Sequence, residues 1–223
     1  MLNCKVDLKG LKGKDVCCGD CKKCVGKSKF DYPFEKNLRS SDDFVRELMA
    51  YIAQHTRLRC SETDIKKNPD INVFDDGGNL LCRVEAKYLE GQAFMKSKTV
   101  IGLFPKEALV IDDPKLDSYL ICKENDKKTG KDVPIFVVWK FDRPCEDVGG
   151  IAIFQEVDTL DRLRQQYGKE RAYERKCASN DYSKGNKLGI TKKYHFSIRE
   201  CEPIEALPDK INALKGAKDE TCD

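Results

Sequence analysis

Asp70, Glu85 and Lys87 are of types and at spacings that can do chemistry together. Asp70 follows Pro69, and Glu85-Ala86-Lys87 stands fifteen residues further on. Two carboxylates drawn to within a few ångströms repel each other unless a cation lies between them. Oxygen ligands of that kind suit Mg²⁺ or Mn²⁺. The backbone carbonyl of Ala86 would add a neutral oxygen to the set. Lys87, two residues beyond Glu85, places an ammonium group beside the same carboxylates. Glu47, upstream of all of them, is a third candidate carboxylate. Each residue also has an ordinary structural reading. Asp70 can cap a turn after a proline, Glu85 and Lys87 can form a salt-bridge row on an exposed strand, and Glu47 can be a helix-boundary residue. Their joint order favours the chemical reading.

A second cluster is built of thiols. Five of the twelve cysteines fall in the first 24 residues, at Cys4, Cys17, Cys18, Cys21 and Cys24. The run Cys-Cys-Gly-Asp-Cys-Lys-Lys-Cys sets sulfurs at two-residue gaps. Gly19 permits a tight backbone, and Lys22 and Lys23 favour thiolates. Four thiolates suit tetrahedral zinc, with Cys4, Cys18, Cys21 and Cys24 as the natural set and Cys17 as the alternative. An iron–sulfur cluster is also compatible with the run, as is no metal at all. The later cysteines, Cys145 among them, read as small buried apolar residues and receive no role.

The elements that must position these groups follow from pattern. Ser40-Ser41-Asp42-Asp43 supplies a cap and an acidic first turn, and Phe44, Leu48, Tyr51, Ile52 and His55 recur at helical spacing, which predicts a helix over about 41–56. On that helix Glu47 lies about 40° from Tyr51 and so borders the buried stripe. A strand beginning at Pro69-Asp70, the turn Asp75-Asp76-Gly77-Gly78 and a strand over 80–87 read as a hairpin. Alternation puts Leu80, Cys82, Val84 and Ala86 on one face and Arg83, Glu85 and Lys87 on the other. A short helix over 114–121, a central strand over 134–141, a strand over 150–157, a helix over about 158–175, a polar loop over 176–190 and a last strand over 193–198 complete the reading. Gly149-Gly150 precedes a strand and reads as a turn rather than a phosphate loop, so ATP-driven chemistry is not expected.

The composition limits the alternatives. The chain of 223 residues has 41 basic and 38 acidic side chains, a net charge of +3, and 40% hydrophobic residues. That argues against disorder. No apolar run is long enough for a transmembrane helix, and the start lacks the apolar segment of a signal peptide, so a cytoplasmic protein without membrane contact is expected. Charge is uneven. Residues 1–39 hold 10 basic and 5 acidic groups, and residues 161–199 hold 11 and 4. Lys184, Lys187, Lys192 and Lys193, interspersed with Tyr182 and Tyr194, read as contacts to a phosphate backbone, and some of Arg162, Arg164, Arg171 and Arg175 on the late helix could track a duplex. A solvated surface is the plainer reading of the same charges. His195, within Tyr-His-Phe, reads as a packed core histidine.

A helix glutamate (FVRELMAYI), then Pro-Asp (NPDINVF), then Glu-x-Lys on an apolar strand (LLCRVEAKY) resembles the PD-(D/E)XK nuclease superfamily. The resemblance covers about residues 40–157. It implies an α/β restriction-endonuclease-like core, a mixed central sheet flanked by helices, over residues 40–223. Residues 1–39 lie outside the resemblance; cysteine-rich and too short for a core of their own, they read as a separate zinc-binding knuckle or arm. The resemblance further implies Mg²⁺ or Mn²⁺ on Asp70, Glu85 and Glu47, with Lys87 orienting the attacking water. The products would be a 5′-phosphate and a 3′-hydroxyl. Gln92 resembles a glutamine that some members place after their lysine. DNA is the implied partner, and a homodimer is one arrangement that would cut both strands. Defence, repair or recombination, and mobile-element roles all stay open. Two other classes compete, a non-catalytic zinc-stapled nucleic-acid-binding module and a zinc-stapled protein adaptor.

Overall fold

The long apolar strand that carries Glu85 forms the centre of a six-stranded sheet. The computed structural model describes residues 1–18, 34–65, 67–91, 93–145, 147–175, 182–183, 186–187 and 191–216. In chain order the elements are α1 (Gly13–Val16), α2 (Phe34–Thr56), β1 (Arg59–Glu62), β2 (Ile71–Phe74), β3 (Leu80–Glu90), α3 (Ser97–Ile101), β4 (Ala108–Asp112), α4 (Asp113–Lys128) and β5 (Ile135–Asp142). They continue as β6 (Ala152–Glu156), α5 (Val157–Tyr167), β7 (Ala172–Arg175), β8 (Tyr182–Ser183), β9 (Asn186–Lys187), β10 (Thr191–Ser197), β11 (Glu202–Pro203) and α6 (Leu207–Gly216).

The main sheet has the order β1-β2-β3-β5-β6-β11. Only β3 and β5 run parallel, so the sheet is mixed. A second sheet, β4-β10-β7, is antiparallel. Helices cover both faces of the main sheet, as expected of the fold class. On one face Phe44, Leu48 and Ile52 of α2 and Ile211 of α6 pack on Ile71, Val73, Cys82, Val84, Phe136 and Val138. On the other, Leu116 and Tyr119 of α4 and Leu160 of α5 pack on Ile135, Val137, Trp139 and Ile153, together with Leu109 and Phe196 of the second sheet. The alternation along β3 and β5 divides these two cores, because successive side chains point to opposite faces.

The β2–β3 hairpin forms as its turn chemistry dictates. The Asn79 N–H donates to Asp75 Oδ1 at 2.7 Å, and the Gly78 N–H donates to the Asp75 carbonyl at 3.0 Å with Gly78 at φ +80°. The positive φ calls for glycine there. Ile71 stands opposite Val84, so Asp70 enters the ladder beside Glu85.

Several boundaries differ from expectation. Helix α2 begins at Phe34 rather than near Ser41, because Glu35, Lys36, Leu38 and Arg39 are good helix formers and an internal Ser-Ser-Asp-Asp costs little. Helix α5 stops at Tyr167, where Gly168 takes φ +49°, and residues 172–175 pair with β10 instead. Strands β4 and β11 and helix α6 went unread in the sequence. The described amino-terminal residues join the body of the molecule: Leu2, Leu8 and Val16 are buried, and the Ala152 N–H donates to the Asn3 carbonyl at 2.8 Å. No helix among the described residues is long and apolar enough to cross a membrane.

Candidate active site

At the open end of the β2–β3 hairpin the structure brings Asp70, Glu85, Ala86 and Lys87 together. Strand β2 begins only at Ile71, so the Ala86 N–H has no backbone partner from β2 there. It donates to Asp70 Oδ2 at 2.9 Å. The Arg83 N–H donates to the Pro134 carbonyl on the β5 side. By the two-residue period, the N–H and carbonyl of Ala86 face the opposite way, toward Asp70. The neutral oxygen expected of Ala86 is therefore directed to the carboxylate side.

Glu85 and Lys87 share the face that packs on α4. Lys87 Nζ donates to Glu85 Oε1 at 2.5 Å, with side-chain exposures of 23% and 3%. The second Glu85 oxygen, Oε2, is buried and has no hydrogen-bond partner. Burial, followed by the charge of Glu85, pushes the Asp70 carboxyl up to about 6. The Ala86 N–H and the cations of Lys87 and Lys115 oppose that rise. The site thus holds two close carboxylates, one of them with an unsatisfied buried oxygen.

Helix α4 roofs the pair with groups that the sequence reading gave no role. Tyr119 is fully buried, and its hydroxyl faces the Glu85 carboxylate, although neither it nor Glu85 Oε2 makes a hydrogen bond of ordinary geometry. Burial and then the carboxylates of Glu85, Asp70 and Asp112 push this phenol upward, so it remains a proton donor. Lys115, one helical turn earlier, sets its ammonium 5.6 Å from the Tyr119 ring centroid and acts electrostatically on Asp70. The signal in the sequence was the i, i+4 pair Lys115/Tyr119 on a helix opened by Pro114.

Glu47 is not brought to this group. It sits on α2, across the opposite face of the sheet, where Lys140 Nζ donates to its Oε2 at 2.5 Å. The Lys140 ammonium also lies over the rings of Phe44 and Tyr88, at 5.8 and 6.0 Å from their centroids.

The basic segment divides by burial. Lys192 is exposed on β10, while Lys193 pairs with Asp112 at 2.5 Å. Arg164 is held by Asp113, Asp117 and Asp161, and Arg171 is buried against Glu200, so both serve the fold. Tyr194 is buried rather than offered for stacking, and its hydroxyl donates to the Arg164 carbonyl. Lys184 and Gln92 lie outside the described residues, as does the Lys187 side chain. His195 is the packed histidine expected: burial lowers it to about 4, and its ring meets Phe94.

Among the cysteine ligands read from sequence, Cys21 and Cys24 lie outside the described residues. Cys18 is buried beside Ala93 and Met95, and Cys17 is exposed. Cys4 lies elsewhere. Its N–H donates to Glu205 Oε1, its Sγ donates to the Val6 carbonyl at 3.6 Å, and burial raises its thiol. Among the described residues, no three His, Cys, Asp or Glu side chains converge as a metal cluster.

No family model and no curated protein matches the chain. Solved structures similar to it include two nucleases. One is Hjc, a Holliday junction resolvase from the archaeal hyperthermophile Archaeoglobus fulgidus, at 12% identity over 76% of this chain and 96% of that one, with a TM-score of 0.40. The other is a nuclease from a fusselovirus, at 13% identity over 84% of this chain and 99% of that one, with a TM-score of 0.47.

Proposed function

We propose that this chain is a divalent-metal-dependent nuclease that hydrolyses DNA phosphodiester bonds, as an endonuclease in defence or in repair and recombination. One observation carries the reading. Glu85 keeps a buried oxygen without a partner beside Asp70, whose carboxyl is pushed up by burial first and then by that same neighbour. A cation between them would relieve both the unsatisfied oxygen and the repulsion. The donor set fits Mg²⁺ or Mn²⁺: Asp70, Glu85 and the Ala86 carbonyl are hard oxygens, and waters and substrate complete such sites. Held there by Asp70, Glu85 and the Ala86 carbonyl, such an ion would supply Lewis acidity, making the attacking water easier to deprotonate and offsetting charge on the phosphate.

The remaining steps belong to the chain's own residues. Lys87, held against Glu85, orients the attacking water and places positive charge beside the phosphorus. The water oxygen bonds to phosphorus as the bond to the 3′ oxygen breaks. One water proton leaves to solvent and the departing oxygen takes one up, giving a 5′-phosphate and a 3′-hydroxyl. Tyr119 holds its phenol toward Glu85 and keeps water out behind it. Lys192 contacts the phosphate backbone, with Lys184, Lys187 and Lys193 as further contacts. DNA as substrate rests on the motif resemblance. Glu47, in its pair with Lys140, is proposed only as an outer participant through water.

The test is cleavage of plasmid, linear duplex, single-stranded and branched DNA and RNA with Mg²⁺ or Mn²⁺, alongside Asp70→Ala and Lys87→Ala proteins. Metal-dependent cutting by the wild type, lost in both variants, supports the reading. A folded wild type that cuts nothing and binds duplex equally well with Asp70→Ala supports the non-catalytic module.

A further inference from the structure

The amino-terminal segment and the segment that follows β3 present their lysines on one surface. A Cβ on Gly13 would stand 3.2 Å from Phe104 Cζ, so the backbone of α1 lies directly on that ring. The Lys98 ammonium lies 4.5 Å from the centroid of the same ring and donates to the Gly102 carbonyl at 3.2 Å. Lys12 and Lys14 flank Gly13, and Lys96 stands two residues before Lys98. Further contacts fix the same alignment. Cys18 packs with Ala93 and Met95, and the Lys106 N–H donates to the Val16 carbonyl at 3.2 Å. Lys12, Lys14, Lys96 and Lys98 therefore form a basic ridge across two segments that are far apart in sequence.

The ridge keeps its charge. All four lysines are exposed, and none of them pairs with a carboxylate among the described residues. Lys87, Lys123 and Lys140, by contrast, are each paired. The carboxylates of the amino-terminal segment are turned to its backbone. Asp7 Oδ1 accepts from the Lys9 and Gly10 N–H groups, and Asp15 Oδ2 accepts from the Lys12 N–H. Four like charges held together repel one another, and a polyanion relieves that repulsion. The rings beside them are already taken up by the fold, Phe104 between Gly13 and Lys98, and Phe94 against Tyr173 and His195. A single strand is held largely by stacking its bases on aromatic faces. Charge with the rings occupied suits instead the phosphates of a duplex, which carry no sequence information.

We infer that this ridge binds the phosphate backbone of duplex DNA without regard to sequence. The identity of the polyanion rests on the nuclease reading; the ridge itself does not. Strand β3 carries Glu85 and Lys87 and ends at Glu90, and the chain then reaches α3 through Gly91, whose N–H donates to the Asp142 carbonyl at 3.3 Å. The ridge thus stands past the end of the strand that carries the site. Lys87 is only about 10 Å of extended chain from that end. A duplex seated on Asp70 and Glu85 would continue onto the ridge, which would supply affinity and leave the chemistry to the carboxylates.

The experiment is fluorescence anisotropy of a labelled duplex with the full chain in EDTA, over a range of salt. It compares wild type with the Lys12→Glu/Lys14→Glu, Lys96→Glu/Lys98→Glu and Lys128→Glu/Lys131→Glu proteins. Lys128 and Lys131 are exposed just past Asp126, which pairs with Arg83 near the start of β3, so the last protein makes the same change in net charge away from the ridge. Each ridge variant should bind at least about tenfold more weakly than wild type, with the slope of log Kd against log salt reduced by about two, while the control stays within about threefold. Because Lys98 also holds the Gly102 carbonyl, the Lys12→Glu/Lys14→Glu protein keeps the test independent of any change in α3. Ridge variants that bind like the control, an unchanged salt slope, or a wild type that binds single-stranded DNA or RNA more tightly than duplex would each overturn the inference. A wild type that binds duplex through the ridge and cuts nothing with Mn²⁺ would uphold it and count against the nuclease reading alone.

Discussion

Two lysine–glutamate pairs lie on opposite faces of the same sheet, at the same separation, and they differ in what surrounds them. Lys140 and Glu47 meet at 2.5 Å on the α2 face, with side-chain exposures of 25% and 33%. The rings of Phe44 and Tyr88 support the cation there. Lys87 and Glu85 also meet at 2.5 Å, but Glu85 is only 3% exposed and shares its cation with a second carboxylate, Asp70. One face therefore carries a matched pair and the other an excess of buried negative charge. The pair by itself is ordinary. The excess charge with an unsatisfied oxygen makes the second place a candidate metal centre.

The largest effect should come from removing that excess. Asp70→Ala or Glu85→Ala is expected to lower the cleavage rate by about 10³-fold or more, and Lys87→Ala by about 10²-fold, measured under single-turnover conditions.

Acidity should act on the same group. Asp70 must be ionised to hold a cation, and its folded-state value of about 6 lies above the unfolded value of 3.8. The folded form therefore binds this proton more tightly. In metal-free protein the Asp70 contribution to stability is greatest below the unfolded value and is lost as pH rises through about 6. Added Mg²⁺ should stabilise the protein at pH 7.5 and hardly at pH 5, read as a shift in melting temperature. Asp70→Asn, which keeps an acceptor for the Ala86 N–H, should melt higher than wild type at pH 7.5 without metal.

Lys115→Gln should have a smaller and two-sided effect. Withdrawing a cation from beside Asp70 is expected to tighten Mn²⁺ binding while slowing cleavage by about tenfold, because a positive group near the phosphate is lost. Calorimetry and kinetics on the same protein would show both.

The smallest change is expected on the matched face. Glu47→Gln should cost about 1 kcal/mol of stability or less in urea unfolding, as partly exposed pairs do, and leave cleavage nearly unchanged. A large loss of cleavage would return Glu47 to the metal centre, where the sequence reading put it.

Much of the site was legible because it depends on local periodicity. The two-residue alternation put Glu85 and Lys87 on one face, and the turn over Asp75–Gly78 set a register that brought Asp70 beside them. Glu47 shows the limit of that reasoning. Its place on the helical wheel was read correctly as the edge of the buried stripe, but no periodicity tells which face of a sheet a helix will cover. Tyr119 and Lys115 were missed for a related reason. Helix α4 was expected, yet its contact with β3 is tertiary, and a buried tyrosine reads as core until a carboxylate is found opposite it. Arg164 and Arg171 looked like phosphate contacts by charge alone, while partners distant in sequence, Asp113, Asp117 and Glu200, occupy them.

The central claim is that Asp70 and Glu85 together hold a divalent cation. Mn²⁺ binding by isothermal calorimetry at pH 7.5, on wild type and the Asp70→Ala, Glu85→Ala and Glu47→Gln proteins, tests it most directly. The account predicts binding by wild type and Glu47→Gln and none by Asp70→Ala or Glu85→Ala. Equal binding by wild type and Asp70→Ala, or no binding by a folded wild type, would contradict it.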